Sequence, residues 1–400
     1  MDGISIRYYF RSVITTENPL KIAIFTDTYF PQINGVVTST ETFVQSFRKQ
    51  GHRVVIFAPD DKDAPANEVD VVRFPAVAYP FQPEYLFAFP FIRPVRNFVA
   101  YQFDIVHIQT PFSIGLYGLN LAKKHHIPVV HTYHTFFERY LHYIPILPEA
   151  WLVGAARWIS RKFCNAFDYV FAPSIQMKVQ LEKYKVTTPI EVIPTGIEFM
   201  DISERDRLSV SARFNIKKTE TWAIYGGRLG REKNVYFMLD AFVRLAARFP
   251  DLKLLIVGDG PERKGMETQI QKAGFTDRVV FTGYLTRTHM ITAFSLAKIY
   301  LFPSVTETQG LTLLECFSVG TPAVCIRSMG VEFLMGNDTG GFALDANLDD
   351  YVMAAQRLLQ DPDLHAQKSH EARNRAAEFS ATMIANRVID IYVDLVKKYA

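Results

Sequence analysis

The apolar positions of this chain run through the same pattern twice. In the first round an apolar run from Leu20 to Phe25 leads into a loop with Pro31, Asn34 and Gly35. A helix follows from about Thr38 to Gln50, capped by Gly51, and Val54 to Ala58 returns as a second strand. Strand, glycine-bearing turn, helix and strand make the opening unit of a doubly wound parallel sheet. Phe103 to Gln109, Val129 to His131, Tyr169 to Pro173 and Ile190 to Ile193 read as further strands, and Ala150 to Phe167 as a helix. Residues 198–219 are polar and charged and read as a connection. At Thr221 the pattern restarts with a strand to Tyr225, a helix from Val235 to Phe249 and a strand from Leu252 to Val257. Val279 to Thr282 and Ile299 to Phe302 are the next strands. After a polar loop, an apolar helix from about Gln309 stops at Gly320-Thr321-Pro322, and Met383 to Lys398 forms a last helix. The expected fold is therefore α/β, with two Rossmann-like doubly wound domains facing a cleft. Their expected bounds are 20–197 and 220–378, after a lead-in over 1–19 and before a terminal helix in 379–400. Ligands of such sheets sit at the carboxyl ends of the strands.

Composition narrows the picture without redirecting it. Four hundred residues, 48% hydrophobic and 21% charged, supply ample core for two or three domains. A net charge of +3 argues against a dedicated nucleic-acid binder. Cys164, Cys316 and Cys325 lie in apolar surroundings without metal-ligand spacing and read as buried thiols of a reducing compartment. Arg7 and Arg11 interrupt the only apolar stretch of the first nineteen residues, so no signal peptide is expected. No uncharged apolar run reaches the ~18 residues of a spanning helix. The expected location is cytoplasmic, with attachment to the cytoplasmic face of a membrane as the alternative. Two stretches bear on that alternative. Residues 73–98 hold Arg73, Phe74, Tyr79, Phe81, Tyr85, Phe87, Phe89, Phe91, Arg93, Arg96 and Phe98, broken by five prolines, with neither period clean. Such a segment suits a membrane interface or apolar acceptor, or simply a loop packed on its domain. The helix from Ala150 carries Arg157, Arg161 and Lys162 along one strip, which fits sheet packing or contact with an anionic surface.

The candidate chemistry gathers at strand ends. Between Thr308 and Ile326 the only charged side chain is Glu315, and a lone carboxylate in such a helix must find a partner or face a cleft. Glu307 precedes the same helix, where backbone amides and the helix dipole favour anions. The structural alternative makes Glu307 a helix-start charge and Glu315 a satisfied core group. Gly226-Gly227-Arg228 through Lys233 form a glycine-rich loop leading into a helix, with two cations five positions apart. Arginine can fork onto two phosphate oxygens while lysine supplies a point charge, a pair fit to hold a diphosphate. His131 and His134 stand at the cleft end of a strand. Asp61-Lys62-Asp63 and Asp361-Pro362-Asp363 have the look of acidic metal motifs but sit in turn-like surroundings, so no metal is assigned.

Five segments in order resemble the retaining nucleotide-sugar glycosyltransferases of family 4, which have the GT-B fold. They are Pro31-Gln32-Ile33-Asn34-Gly35-Val36, His131-Thr132-Tyr133-His134-Thr135, Ile193-Pro194-Thr195-Gly196-Ile197, Gly226 to Asn234, and Glu307-x7-Glu315. The similarity runs from about Leu20 to the end. It implies that the last helix crosses back to the first domain. It also implies that Glu307 holds donor-sugar hydroxyls, aided by backbone groups of Thr308, Gln309, Gly310 and Leu311, and that Glu315 holds the ribose. Gly283, Tyr284 and Leu285 would lie near the base, and Gly227, Arg228 and Lys233 at the diphosphate. Gly35 would let the first domain's loop approach the same diphosphate, and His134 would hydrogen-bond the sugar, while His131 stays structural. No metal or cofactor is implied beyond the nucleotide-sugar substrate. Residues 73–98 and His131 to Tyr143 resemble members that glycosylate diacylglycerol, so glucose transfer from UDP-glucose to that lipid is the leading expectation. A GDP-mannose-dependent transferase acting on a phosphoinositide or glycan is the alternative, and an idle nucleotide-sugar-binding protein a third. The oligomeric state is not fixed by the sequence.

Overall fold

The computed structural model describes residues 19–32, 34–65, 68–79, 82–92, 95, 98–134, 149–307 and 309–399. Residues 1–18 of the expected lead-in, Thr308, Phe81, Arg93, Arg96 and the 135–143 part of the lipid-type stretch lie outside them. Among the described residues fifteen strands follow in chain order. The first domain has β1 (Lys21–Phe25), β2 (Arg53–Pro59), β3 (Val71–Phe74), β4 (Ala76–Tyr79), β5 (Gln82–Ala88), β6 (Ile105–Ile108), β7 (Val129–Thr132), β8 (Tyr169–Ala172) and β9 (Ile190–Val192). The second has β10 (Thr221–Gly226), β11 (Leu252–Val257), β12 (Val279–Gly283), β13 (Ile299–Phe302), β14 (Ala323–Ile326) and β15 (Gly341–Leu344).

Two all-parallel sheets result, ordered β3-β2-β1-β6-β7-β8-β9 and β12-β11-β10-β13-β14-β15. Their strands are short apolar runs because helices cover both faces, as parallel sheets require. Ile22, Ile24 and Phe25 of β1 and Ile224 and Tyr225 of β10 are almost wholly buried. In each sheet the chain starts centrally, runs to one edge, then returns to fill the other. The strand order thus reverses beside β1 and β6 in one domain, and beside β10 and β13 in the other. Crossovers on opposite faces part there and leave a crevice at the strands' carboxyl ends.

Three features complete the architecture. The aromatic stretch holds an antiparallel pair, β4 with β5, in which Val77 faces Phe87. The polar connection contains the helix Glu204–Phe214, whose Val210 joins the second domain's core beside Trp222. The terminal helix Ala381–Tyr399 packs on the first sheet, its Ile384, Val388 and Tyr392 sharing a core with Ile22, Phe43 and Phe171. Among the described residues no helix is long and apolar enough to cross a membrane.

Candidate active site

Both reversal points carry polar residues. After β10 the chain makes a glycine turn in which a Cβ on Gly258 would stand 2.0 Å from the Gly227 carbonyl oxygen, with φ +128°. Only glycine lets these two backbones meet. The turn continues as Arg228, a single 3-10 turn Arg231–Lys233, Asn234 in the left-handed region, and the helix Val235–Arg248. After β13 the neighbouring loop brings Glu307 to Lys233, whose Nζ lies 2.6 Å from a carboxylate oxygen. Ser304 donates a second hydrogen bond to the same oxygen at 2.7 Å. Burial alone would raise the Glu307 carboxyl, but the Lys233 charge and the Lys233 and Ser304 hydrogen bonds hold it below the usual glutamate range.

The two loops are stitched at further points. Arg228 Nη1 lies 3.3 Å from the carboxylate of buried Glu232, and the Thr306 hydroxyl donates to the Glu232 carbonyl at 3.2 Å. The Tyr300 hydroxyl donates to the Gly226 carbonyl at 2.7 Å and lies 3.0 Å from the Thr312 hydroxyl. Gly310, at φ +82°, turns the chain into the helix Leu311–Ser318. That helix buries Glu315, whose carboxylate lies 3.2 Å from Arg287 Nε on the neighbouring helix Arg287–Leu296. Here burial outweighs the Arg287 cation, and the carboxyl is raised. The two carboxylates, eight residues apart, are thereby tuned in opposite directions. Gly283, at φ +68°, stands over the Asp259–Arg263 ion pair, and the exposed Tyr284 donates its hydroxyl to the Asp259 carbonyl at 3.3 Å. Leu285 is half-buried against the second domain's core.

The first domain faces this cluster. Asn34 caps the helix Gly35–Lys49 by accepting from the Val36 and Val37 amides. A Cβ on Gly35 would lie 4.0 Å from Leu311 Cδ1, so the helix starts of the two domains meet. The Gln309 side chain is committed across the same boundary. Its carbonyl accepts from the Thr195 amide and its NH2 donates to the Thr195 carbonyl, both at 2.7 Å. His134 follows β7, and its Nε2 lies 2.6 Å from the Gln109 side-chain oxygen at the end of β6. Burial, then the neighbouring His131, pulls the His134 imidazole down to about 3, so it stays neutral. His131 is structural in this arrangement, held by the Ile108 carbonyl at 2.8 Å beneath Phe163 and Phe167.

Of the expected site residues, Lys233 and Glu307 meet directly, Arg228 joins the same two loops through Glu232, and Gly35 and Leu311 meet at the domain boundary. Glu315 sits deeper, with Gly283, Tyr284 and Leu285 around a neighbouring turn. Sequence reasoning did not single out Glu232, Arg287, His107 or Gln109. The last two had a visible signal. His107 and Gln109 are polar at alternate positions of an apolar strand, hence on one face. Among the described residues no three His, Cys, Asp or Glu side chains gather as metal ligands.

Comparison with known proteins adds independent information. Residues 33–199 match the family described as Glycosyltransferase Family 4, and residues 206–377 that described as Glycosyl transferases group 1. The chain is 32% identical over 386 residues to an alpha-monoglucosyldiacylglycerol synthase of Streptococcus pneumoniae, covering 94% of this chain and 86% of that one. It is 25% identical to a GDP-mannose-dependent alpha-mannosyltransferase of Corynebacterium glutamicum, over 94% of this chain and 90% of the relative. Among solved structures, the sucrose-phosphate synthase of Thermosynechococcus elongatus superposes with a TM-score of 0.77 at 20% identity, over 95% and 100% of the two chains. An Anabaena protein solved with UDP and glucose superposes with a TM-score of 0.75 at 17% identity, over 94% and 100%.

Proposed function

The chain belongs to glycosyltransferase family 4 and is a GT-B hexosyltransferase, and we propose that it moves glucose from UDP-glucose to 1,2-diacylglycerol with retention at the anomeric carbon. The observation that carries the donor half is the Lys233–Glu307 contact where the second sheet's strand order reverses. A cation and a carboxylate held side by side suit a donor with a diphosphate at one end and hydroxyls at the other. On this reading Lys233 and Arg228 take the diphosphate, Glu307 takes the sugar hydroxyls, and Glu315 takes the ribose. The backbone of 308–311 supports the sugar, Gly35 and Gly227 leave room for the phosphates, and Gly283, Tyr284 and Leu285 border the base.

As the bond from the anomeric carbon to the diphosphate oxygen breaks, negative charge grows on the departing oxygens. Fixed cations that need no reorganisation stabilise it best, and here they would do so without a metal. The acceptor hydroxyl attacks the same face of an oxocarbenium-like centre, and its proton passes to the leaving phosphate oxygen. Neutral His134 hydrogen-bonds the sugar rather than carrying charge.

The acceptor half rests on two supports. The first is the similarity to the pneumococcal lipid synthase. The second is an apolar rim on the first domain, where Phe87, Phe91 and Ile92 are 49%, 70% and 72% exposed, and Phe112 and Leu116 begin the adjacent helix Ser113–Lys124. Phe91 packs edge-on to Tyr117 of that helix, with ring centroids 5.4 Å apart. Exposed aromatics of this kind suit a surface that meets lipid.

The test is a product assay with labelled UDP-glucose and GDP-mannose, each supplied with vesicles containing diacylglycerol or phosphoinositide. An α-glucosyl lipid formed from UDP-glucose, in the presence of a chelator, is expected. Transfer from GDP-mannose alone would shift the reading to a mannosyltransferase, and absence of any transfer would favour a binding protein.

A further inference from the structure

The His134 imidazole ends a buried hydrogen-bond path that starts on the last helix of the chain. The Tyr392 hydroxyl, in the helix Ala381–Tyr399, lies 2.6 Å from His107 Nδ1 in the middle of the first sheet. His107 Nε2 lies 2.7 Å from the Thr132 hydroxyl and 3.1 Å from the Gln109 side-chain nitrogen. The Gln109 oxygen in turn lies 2.6 Å from His134 Nε2. His107 is wholly buried, and the rings of Phe43, Phe171 and Tyr392 surround it. Burial holds it far below the usual histidine range, so it is neutral and has one donor nitrogen and one acceptor nitrogen.

That restriction orders the whole path. The Gln109 NH2 donates to His107 Nε2 and the Thr132 hydroxyl shares that acceptor, so Nε2 carries no proton and Nδ1–H donates to the Tyr392 oxygen. The Gln109 oxygen is then left to accept, and His134 must supply the proton from Nε2. Which nitrogen of a histidine carries the proton is set by the bond the other end makes. The alternative order needs Tyr392 to donate, the Thr132 hydroxyl to accept from His107 Nε2–H, the Gln109 amide to turn over, and His134 to present a bare Nε2. The two states differ in every member, so a change at Tyr392 is felt at His134. We propose that Tyr392, His107 and Gln109 are positioning residues that fix the tautomer of His134 with its proton on Nε2. The consequence for catalysis rests on the placement of His134 at the donor sugar.

The experiment is long-range proton–nitrogen NMR of the full chain labelled at its histidines, for wild type, Tyr392→Phe and Gln109→Leu. In wild type His134 is expected to be protonated at Nε2. Tyr392→Phe removes the acceptor of His107 Nδ1–H, so His107 should move its proton to Nε2, Gln109 should turn, and His134 should appear protonated at Nδ1. Gln109→Leu cuts the path, and His134 should sample both forms. In both variants kcat should fall about tenfold, the scale of one hydrogen bond lost at the transition state, with the donor KM unchanged. If Tyr392→Phe does not fold, Gln109→Leu decides. One unaltered His134 tautomer across the variants overturns the relay. A changed tautomer with kcat within twofold of wild type overturns its positioning role. If wild type transfers no sugar at all, the proposed function fails, and the spectra still judge the relay.

Discussion

At the scale of single residues, the two acidic side chains of the motif loop show how much a sequence discloses. Glu307 stands out because it precedes an apolar helix, and Lys233 because it ends a glycine-rich loop. Each is legible from its own neighbours. Arg287, which answers Glu315 from 28 positions away, is not, because nothing local marks a helix-start arginine as the partner of a buried carboxylate. The Lys233–Glu307 pair carries a pH signature. In wild type the Glu307 carboxyl lies below its unfolded value, so its contribution is present above that value, about 4.3, and is lost only as pH falls through the lower folded value. In Lys233→Met burial is left as the chief influence, and the folded carboxyl rises above its unfolded value. Acidification from pH 7 towards about 4.3 then relieves the variant while leaving wild type unchanged. Thermal melts should show a stability deficit of about 2–3 kcal/mol at pH 7, below the full cost of a wholly buried broken pair because both groups keep some exposure, and it should shrink steadily on acidification. A deficit that stays constant across this range would remove the pairing from the account. Turnover of the same variant should fall about 100-fold or more while nucleotide affinity changes far less, since on the proposed reading the cation acts on charge that develops late.

At the scale of elements, strands and long helices follow from apolar runs, whereas pieces held by contacts distant in sequence do not. The β4–β5 pair is hidden by prolines that blur its alternation, and it forms with β5 packed against β2 and the helix Ser113–Lys124. That helix itself lacks a side-chain cap from its own Phe112. Asp27, 86 residues earlier than Ser113, replaces it, accepting from the Ser113 hydroxyl at 3.0 Å, the Ile114 amide at 2.7 Å and the Gly115 amide at 3.2 Å. The fit leaves no room at Gly115, where a Cβ would stand 1.7 Å from the Thr110 carbonyl oxygen and 3.0 Å from Ile108 Cγ2. Gly115→Ala should therefore cost about 1–3 kcal/mol in denaturant melts by pushing the helix start off its cap. A wild-type midpoint would mean that the turn yields freely. The apolar rim beside this helix makes a separate prediction. Phe91→Ser with Ile92→Ser should cost no more than about 1.5 kcal/mol in the melt, because Ile92 faces solvent and Phe91 gives up one edge-on ring contact with Tyr117. The same double variant should lose most transfer to diacylglycerol in vesicles, and undiminished vesicle activity would take the rim out of acceptor binding.

At the scale of the whole molecule, the two sheets are legible as repeated units, but what joins them is not. Gln309 sits inside the motif that the proposed function assigns to the donor, yet its amide pairs with the main chain of Thr195 as a strand would. The Thr195 hydroxyl lies 2.6 Å from that of Ser39, continuing the join into the helix after β1. Both Gln309 bonds are buried, so truncation leaves a main-chain N–H and a carbonyl without partners, each costing about 1–3 kcal/mol unless water enters. Water can enter only if the domains part. Gln309→Ala should then favour an opened arrangement over unfolding of either core. Hydrogen exchange should accelerate at the Thr195 amide and along the start of the helix Gly35–Lys49, while the central strands β1 and β10 keep wild-type protection. Binding of UDP-glucose, which on the proposed reading needs both faces, should weaken by about five- to thirtyfold, the share of the lost join that closure must now supply. Gln309→Glu sharpens the test, because a carboxylate can still accept from the Thr195 amide but meets the Thr195 carbonyl with no donor. It should resemble Gln309→Ala at neutral pH and recover towards wild type on acidification, as the protonated acid regains a donor. Equal protection at Thr195 in wild type and both variants would show that the domains are held together elsewhere, with Gln309 merely filling the gap.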